Sequence, residues 1–325
     1  MSNKSIESLE YISDQFNRYL APSIFLFGIM GNIMNCLVLS QRTLRSNPCA
    51  LLFLASSFIG LISILLGLPT RILAGWHADP TTTINWICKT RVFIVFSTRT
   101  MSIWLITLAT IDRWLISSIN IHRRQMSNLK NVKREIFITI ILSILSYIHM
   151  FPCYGANNID APLKCYENTA GCLLMTDLTY VLFSIIIPLI LMIIFGLLTI
   201  SHVHRIHTRV AYVDNTVRTI DHSRHVNQNS KKTDNHLLRM LLLQIFSLIV
   251  LCIPQAVQKL YMTFKPFGSG SKLEDAIKTF LYNIDILLAF MASAMPFYIY
   301  VLAGGSVIRK ASINLIRLIQ RKIAC

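Results

Sequence analysis

Two side chains of certain charge, Arg99 and Asp285, fall deep inside long apolar stretches of this sequence. If those stretches cross a membrane, each ion is costly unless it faces a protein interior and finds a partner, and intramembrane ions mark functional positions by default. Along a helix axis Arg99 precedes Arg113 by about 21 Å and Asp285 precedes Leu302 by about 25 Å, so the two stand at similar depth. The stretch holding Arg99 ends in Ile111-Asp112-Arg113-Trp114. An acid beside an arginine at a membrane edge can form a local pair that a second conformation releases.

Hydrolytic metal chemistry has little to stand on. There is no His-Glu-x-x-His pattern, and the six histidines from His202 to His236 are irregularly spaced in a hydrophilic segment that reads as a solvated loop. No metal, cofactor or enzymatic activity is expected.

The elements that position these residues follow from composition. At 54% hydrophobic and 14% charged, the chain is more apolar and far less charged than soluble domains. A bilayer core takes about 20 apolar residues per helix, and seven such stretches are present, at 20–40, 49–72, 90–118, 135–152, 177–201, 237–262 and 277–302. The expected fold is an all-α seven-transmembrane helix bundle over 20–302, after a polar tail at 1–19. No cleavable leader is evident in that tail, so the first span should act as the anchor. Residues 303–325 read as a tail in which apolar positions alternate with Arg309, Lys310, Arg317, Arg321 and Lys322, suited to an amphipathic helix on the lipid surface.

Orientation follows from Lys and Arg near the span ends, which stay on the cytoplasmic side. Twenty of the 31 lie on the side of Arg113 and the 237–262 span's basic entry, ten on the other, and Arg99 remains inside. The N-terminus is therefore expected outside the cell and the C-terminus in the cytoplasm. The net charge of +16 then belongs to loops facing anionic lipid and a cytoplasmic partner, and gives no support to nucleic-acid binding.

Cys88, twenty-five residues before Arg113 and just after Trp86, completes a pattern that resembles the rhodopsin-like G-protein-coupled receptors. Gly31-Asn32 in the first span, Pro69 in the second, Pro188 in the fifth, Pro254 in the sixth and Pro296 in the seventh extend the resemblance over nearly the whole chain. Membrane helices tolerate single prolines, but each of these stands in its own proper span. The resemblance implies a plasma-membrane receptor that couples a heterotrimeric G protein through Asp112, Arg113 and Trp114. It also implies a disulfide from Cys88 to the second outer loop, where Cys153, Cys165 and Cys172 are the candidates. Cys165 is favoured, Cys172 remains open, and Cys153 is expected to cap the fourth helix.

The third and seventh helices are neighbours in that family, so Arg99 and Asp285 are expected to pair at the floor of the ligand pocket, or one of them to bind a charged ligand group. The family's switch positions are altered: Leu251-Cys252-Ile253-Pro254 in the sixth span, and Met295-Pro296 followed by Tyr298 and Tyr300 in the seventh. The second span has no acid at the family's sodium site, Ser56 to Gly60 being uncharged, and the fourth lacks the usual tryptophan. Ala289 stands where a retinal-binding lysine would be, and Val95 where amine receptors keep an aspartate. The remaining mouth is polar, with Gln255, Gln258, Lys259 and Tyr261, Glu274 and Asp275, and Asp160, Lys164 and Glu167. It suits a peptide, by resemblance to peptide receptors. A multi-span transporter or non-signalling scaffold is the alternative, though no internal repeats or paired broken helices support a transporter. Asn3 is a possible glycosylation site and Cys325 a possible palmitoylation site.

Overall fold

The computed structural model describes residues 2–118, 120–158, 161–216, 222–265, 267–268 and 270–303. Within them, seven helices are long and apolar enough to cross a membrane: Lys4–Leu39, Pro48–Ala74, Asn85–Ser117, Leu129–Cys153, Ala170–His202, Leu242–Phe264 and Lys272–Ala294. The expected amphipathic helix at 303–325 and Cys325 lie outside the described residues, as do Asp160 and the side chains of Asn3 and of the basic segment after His202.

These helices outrun the apolar stretches because hydropathy marks only the part that lipid surrounds, whereas helices begin at their caps. Asn47 accepts hydrogen bonds from the amides of Cys49 and Ala50, with Pro48 at the first helical position. Asn128 caps the fourth span through the Asn131 amide, and Thr169 caps the fifth through that of Cys172. Ser271 accepts from the Glu274 amide, the Ser-x-x-Glu arrangement that favours a helix start before the seventh span. Such caps satisfy amides that would otherwise be orphaned at the rim.

The N-terminal segment, read from the sequence as a polar tail, is helical. Ser2–Gln15 forms helix α1, joined by a π turn at Phe16–Leu20 to the helix Ala21–Leu39. It stays helical because it has something to pack on: α1 lies along the seventh helix, where Asn283 donates to Ser13 Oγ at 2.9 Å and Phe16 meets Phe280 at 6.3 Å between ring centroids.

The third span runs through the middle of the bundle and is the most enclosed, packing on the second, fourth and fifth. Where the family keeps a carboxylate in the second span, neutral polar groups tie the helices together. Asn32 donates to the Ser293 carbonyl at 3.1 Å, Asn35 to Ser57 at 3.1 Å, and Ser56 shares a 2.9 Å hydrogen bond with Ser102. Gly28 and Gly67 permit close approach: an added Cβ would stand 2.7 Å from Ile64 Cδ1 at the first and would overlap the Phe290 ring at the second.

Between the fourth and fifth spans, β1 (Tyr154–Gly155) and β2 (Tyr166–Glu167) form an antiparallel hairpin. Two disulfides fasten it. Cys88 is bonded to Cys165, and Cys153 to Cys172, with Cα separations of 5.7 and 5.4 Å. Cys153, expected as a helix cap, is instead the last residue of a short helix capped by Tyr154 and is bonded across the loop: the hairpin folds back on itself and brings the cysteines at the two ends of the loop together, which also removes Cys172 as the partner of Cys88.

Candidate functional site

At the disulfide end of the bundle the side chains form a buried polar layer beneath the hairpin. The Lys259 ammonium on the sixth helix pairs with the Asp177 carboxylate on the fifth, each 1% exposed. Thr263 donates to the other Asp177 oxygen at 2.9 Å, and the ammonium lies 5.4–5.9 Å from the ring centroids of Phe96, Tyr180 and Tyr282. A charge this deep persists because its partner, a hydroxyl and three ring faces replace water. In the hairpin above, Tyr154 donates to the buried Glu167 carboxylate.

Arg99 lies in the next layer down. Its guanidinium donates to Gln255 Oε1 at 3.3 Å, and Tyr180 donates to the same oxygen at 2.8 Å. The rings of Phe290 and Tyr180 flank it at 5.2 and 5.9 Å. Arg99, Tyr180 and Gln255 therefore join the third, fifth and sixth helices one residue past Pro254.

The expected ion pair of Arg99 with Asp285 is not formed. Asp285 is 7% exposed and makes no hydrogen bond or ion pair among the described residues. The cause is local: the Phe290 face from the seventh helix and the Gln255 amide from the sixth take up the delocalised guanidinium, which is more weakly hydrated than an ammonium and stacks readily on rings. Val95 is buried in an apolar cluster with Phe290 and Ile286, and Gln258 donates to the Lys278 carbonyl at 3.2 Å.

Hydropathy hid several buried ions of this layer. Asp177, Arg71 and Lys278 sit within a turn or two of span ends, where charged residues ordinarily reach the headgroups, yet Asp177 is 1% and the other two 2% exposed. Lys278 is matched by Asp275 at 3.2 Å and Glu274 at 3.4 Å. The pairing of Lys259 with Asp177 was detectable only as two opposite charges at equal depth on adjacent helices. Among the described residues no cluster of three or more His, Cys, Asp or Glu is arranged to hold a metal.

At the opposite end, Asp112 and Arg113 do not bond to each other. Asp112 is 4% exposed and accepts from Ser127 at 2.6 Å, while Arg113 Nε donates to Cys49 Sγ at 3.0 Å. Trp114 packs on Phe195 with centroids 5.0 Å apart, and the Arg123 guanidinium lies 5.2 Å over its ring. Cys252 is buried next to Pro254, whereas Pro296 follows a break between Ala294 and the helix Pro296–Ala303. The two tyrosines after it diverge: Tyr298 donates to the Phe27 carbonyl at 3.0 Å, and Tyr300 is buried against Phe53 at 4.9 Å.

Residues 31–300 match the family model described as 7 transmembrane receptor (rhodopsin family). The chain is also similar to the neuromedin U receptor homolog nmur-2 of Caenorhabditis elegans, at 26% identity over 136 residues. That stretch spans 40% of this chain and 31% of the relative. A match over most of the chain, onto seven membrane-length helices with the disulfide and the Asp-Arg pair at opposite ends of the third, places it in a family: this protein belongs to the rhodopsin family of seven-transmembrane receptors.

Proposed function

We propose that the protein is a plasma-membrane receptor that binds an extracellular peptide beneath the β1–β2 hairpin and activates a heterotrimeric G protein at the Arg113 end. The observation that carries this is the presence of a polar, aromatic-lined layer at one end and an arginine hydrogen-bonded to a cysteine thiol at the other, in a chain of the rhodopsin family. The partial similarity to a neuromedin U receptor homolog supports a peptide as the ligand class. The excess of Lys and Arg around Arg113 favours that end as cytoplasmic, with the N-terminus outside.

The mechanism is a population shift, in which ligand binds one arrangement of the bundle more tightly than the other. Peptide contacts near Lys259 and Gln255 act on the sixth helix, on the disulfide side of Pro254. Pro254 removes one backbone hydrogen bond and gives that helix a place to bend. Displacement of its far half opens a cavity, and Arg113 leaves Cys49 to meet the G protein. Screening a peptide library against cells expressing the receptor tests this: a peptide that drives nucleotide exchange is the expected result, and exchange that no peptide alters in a surface-expressed receptor contradicts it.

A further inference from the structure

We infer that the cleft between the second helix, the loop that follows it and the β1–β2 loop binds a carboxylate of the peptide ligand through Arg71. This rests on the peptide-receptor reading above and specifies the ligand chemistry. The cleft encloses about 230 Å³, and its walls include Arg71, His77, Asp79, Thr81 and Lys164.

Arg71 is 2% exposed, yet no acid stands within ion-pair distance of it among the described residues. Its Nη1 donates to Asn283 Oδ1 at 3.2 Å, and its Nε has no acceptor among the described residues. Among the described residues the one acid in the wall is Asp79, which favours the Arg71 charge from beyond ion-pair distance while its Oδ1 accepts from the Thr81 amide at 2.9 Å and the Thr81 hydroxyl at 2.8 Å. Arg91 adds positive charge close to Arg71. Its Nη2 donates to the Gly67 carbonyl at 3.1 Å, its own Nε is unpartnered among the described residues, and the two guanidinium groups repel.

The contrast with the lysines of the same layer is informative. Lys259 has Asp177, and Lys278 has Asp275 and Glu274, so acids match those buried ammonium groups. A buried cation with no anion is strongly disfavoured. A guanidinium offers parallel N–H donors in the planar geometry that a carboxylate accepts in bidentate fashion. Arg71 lines a cleft of suitable size with its Nε unpartnered among the described residues, and the exposed Lys164 lines the same cleft. The carboxylate comes from a free peptide C-terminus or from an Asp or Glu side chain.

The test uses the full-length protein, purified into lipid nanodiscs, and three pools of synthetic pentapeptides. One pool has a free C-terminal carboxylate and no Asp or Glu. A second is amidated with one Asp or Glu, and a third is amidated without acid. The readout is the melting temperature against pool concentration, which needs no G protein. One carboxylate pool is expected to raise the melting temperature where the neutral pool does not, and which one succeeds identifies the source. In R71Q the concentration for half the shift is expected to rise about tenfold or more, while the unliganded R71Q protein melts no lower than wild type. The exposed-site variant K164A should fold as wild type and weaken the same pool to a smaller extent.

Equal shifts from the neutral pool, no shift from any pool, or shifts unchanged in both R71Q and K164A would overturn the carboxylate site. An unliganded R71Q that melts lower would do so too, by assigning Arg71 a structural role. Exchange driven by neutral peptides would leave the receptor reading standing without this site. Arg71-dependent binding of a carboxylate pool without exchange would do the reverse.

Discussion

Arg99 on the third helix reaches Gln255 on the sixth at 3.3 Å, and Asp285 on the seventh, at the same end of the bundle, has no partner among the described residues. The guanidinium is thereby attached to the helix that carries Pro254, so the polar layer beneath the hairpin is connected to the helix that the proposed mechanism moves.

Because Arg99 and Asp285 make no direct contact, they should behave as independent sites. In a double-mutant cycle on melting stability, Arg99→Met with Asp285→Asn is expected to couple by less than about 0.5 kcal/mol, and Arg99→Met with Gln255→Ala by about 1 kcal/mol or more. Strong coupling in the first cycle would restore the ion pair that the sequence suggested.

Removing one member of the Lys259–Asp177 pair leaves an uncompensated buried charge. Lys259→Met or Asp177→Leu alone is expected to destabilise the receptor by about 3–5 kcal/mol, whereas the double replacement recovers most of that loss. Thermal unfolding of the purified variants in nanodiscs distinguishes this from an additive effect.

The Glu167 carboxyl in the hairpin is pushed up to about 7 from an ordinary 4.5, chiefly by burial, with Lys259 opposing the shift. The folded protein holds a proton there that the unfolded chain has already released. Stability should therefore fall as pH rises from about 4.5 to about 7, by on the order of 3 kcal/mol, and level off above. Glu167→Gln should flatten that part of the profile, and an unchanged slope would show that another group is responsible.

The second disulfide closes a loop of nineteen residues. On chain entropy alone, replacing Cys153 and Cys172 by alanine should cost about 3 kcal/mol, against about 4.5 kcal/mol for Cys88 and Cys165. Melting temperatures of the two double variants should fall in that order.

The seven spans were legible in the sequence because lipid imposes a length and a composition on anything that crosses it. Caps such as Asn47 and Ser271 were legible in principle, but they lie outside the apolar runs and extend the helices past the boundaries that hydropathy sets. Helix α1 was hidden because its support comes from the seventh helix, far away in sequence. The site was only partly readable for a related reason. Asp177 and Arg71 look like headgroup-facing residues until the hairpin closes over them, and equal depth pointed Arg99 at Asp285 although the azimuth of the side chain, set by Phe290 and Gln255, turns it elsewhere.

The most direct measurement is nucleotide exchange on purified G protein by the receptor in nanodiscs, with wild type, Arg113→Ala and Cys49→Ala compared at equal receptor density and with an activating peptide. Wild type should show peptide-dependent exchange and Arg113→Ala should lose it. Cys49→Ala, freed of the 3.0 Å contact that holds Arg113, should show basal exchange raised by about fivefold, as expected for losing roughly 1 kcal/mol from one state. Peptide-dependent exchange that survives in Arg113→Ala would contradict the role of this arginine as the coupling residue.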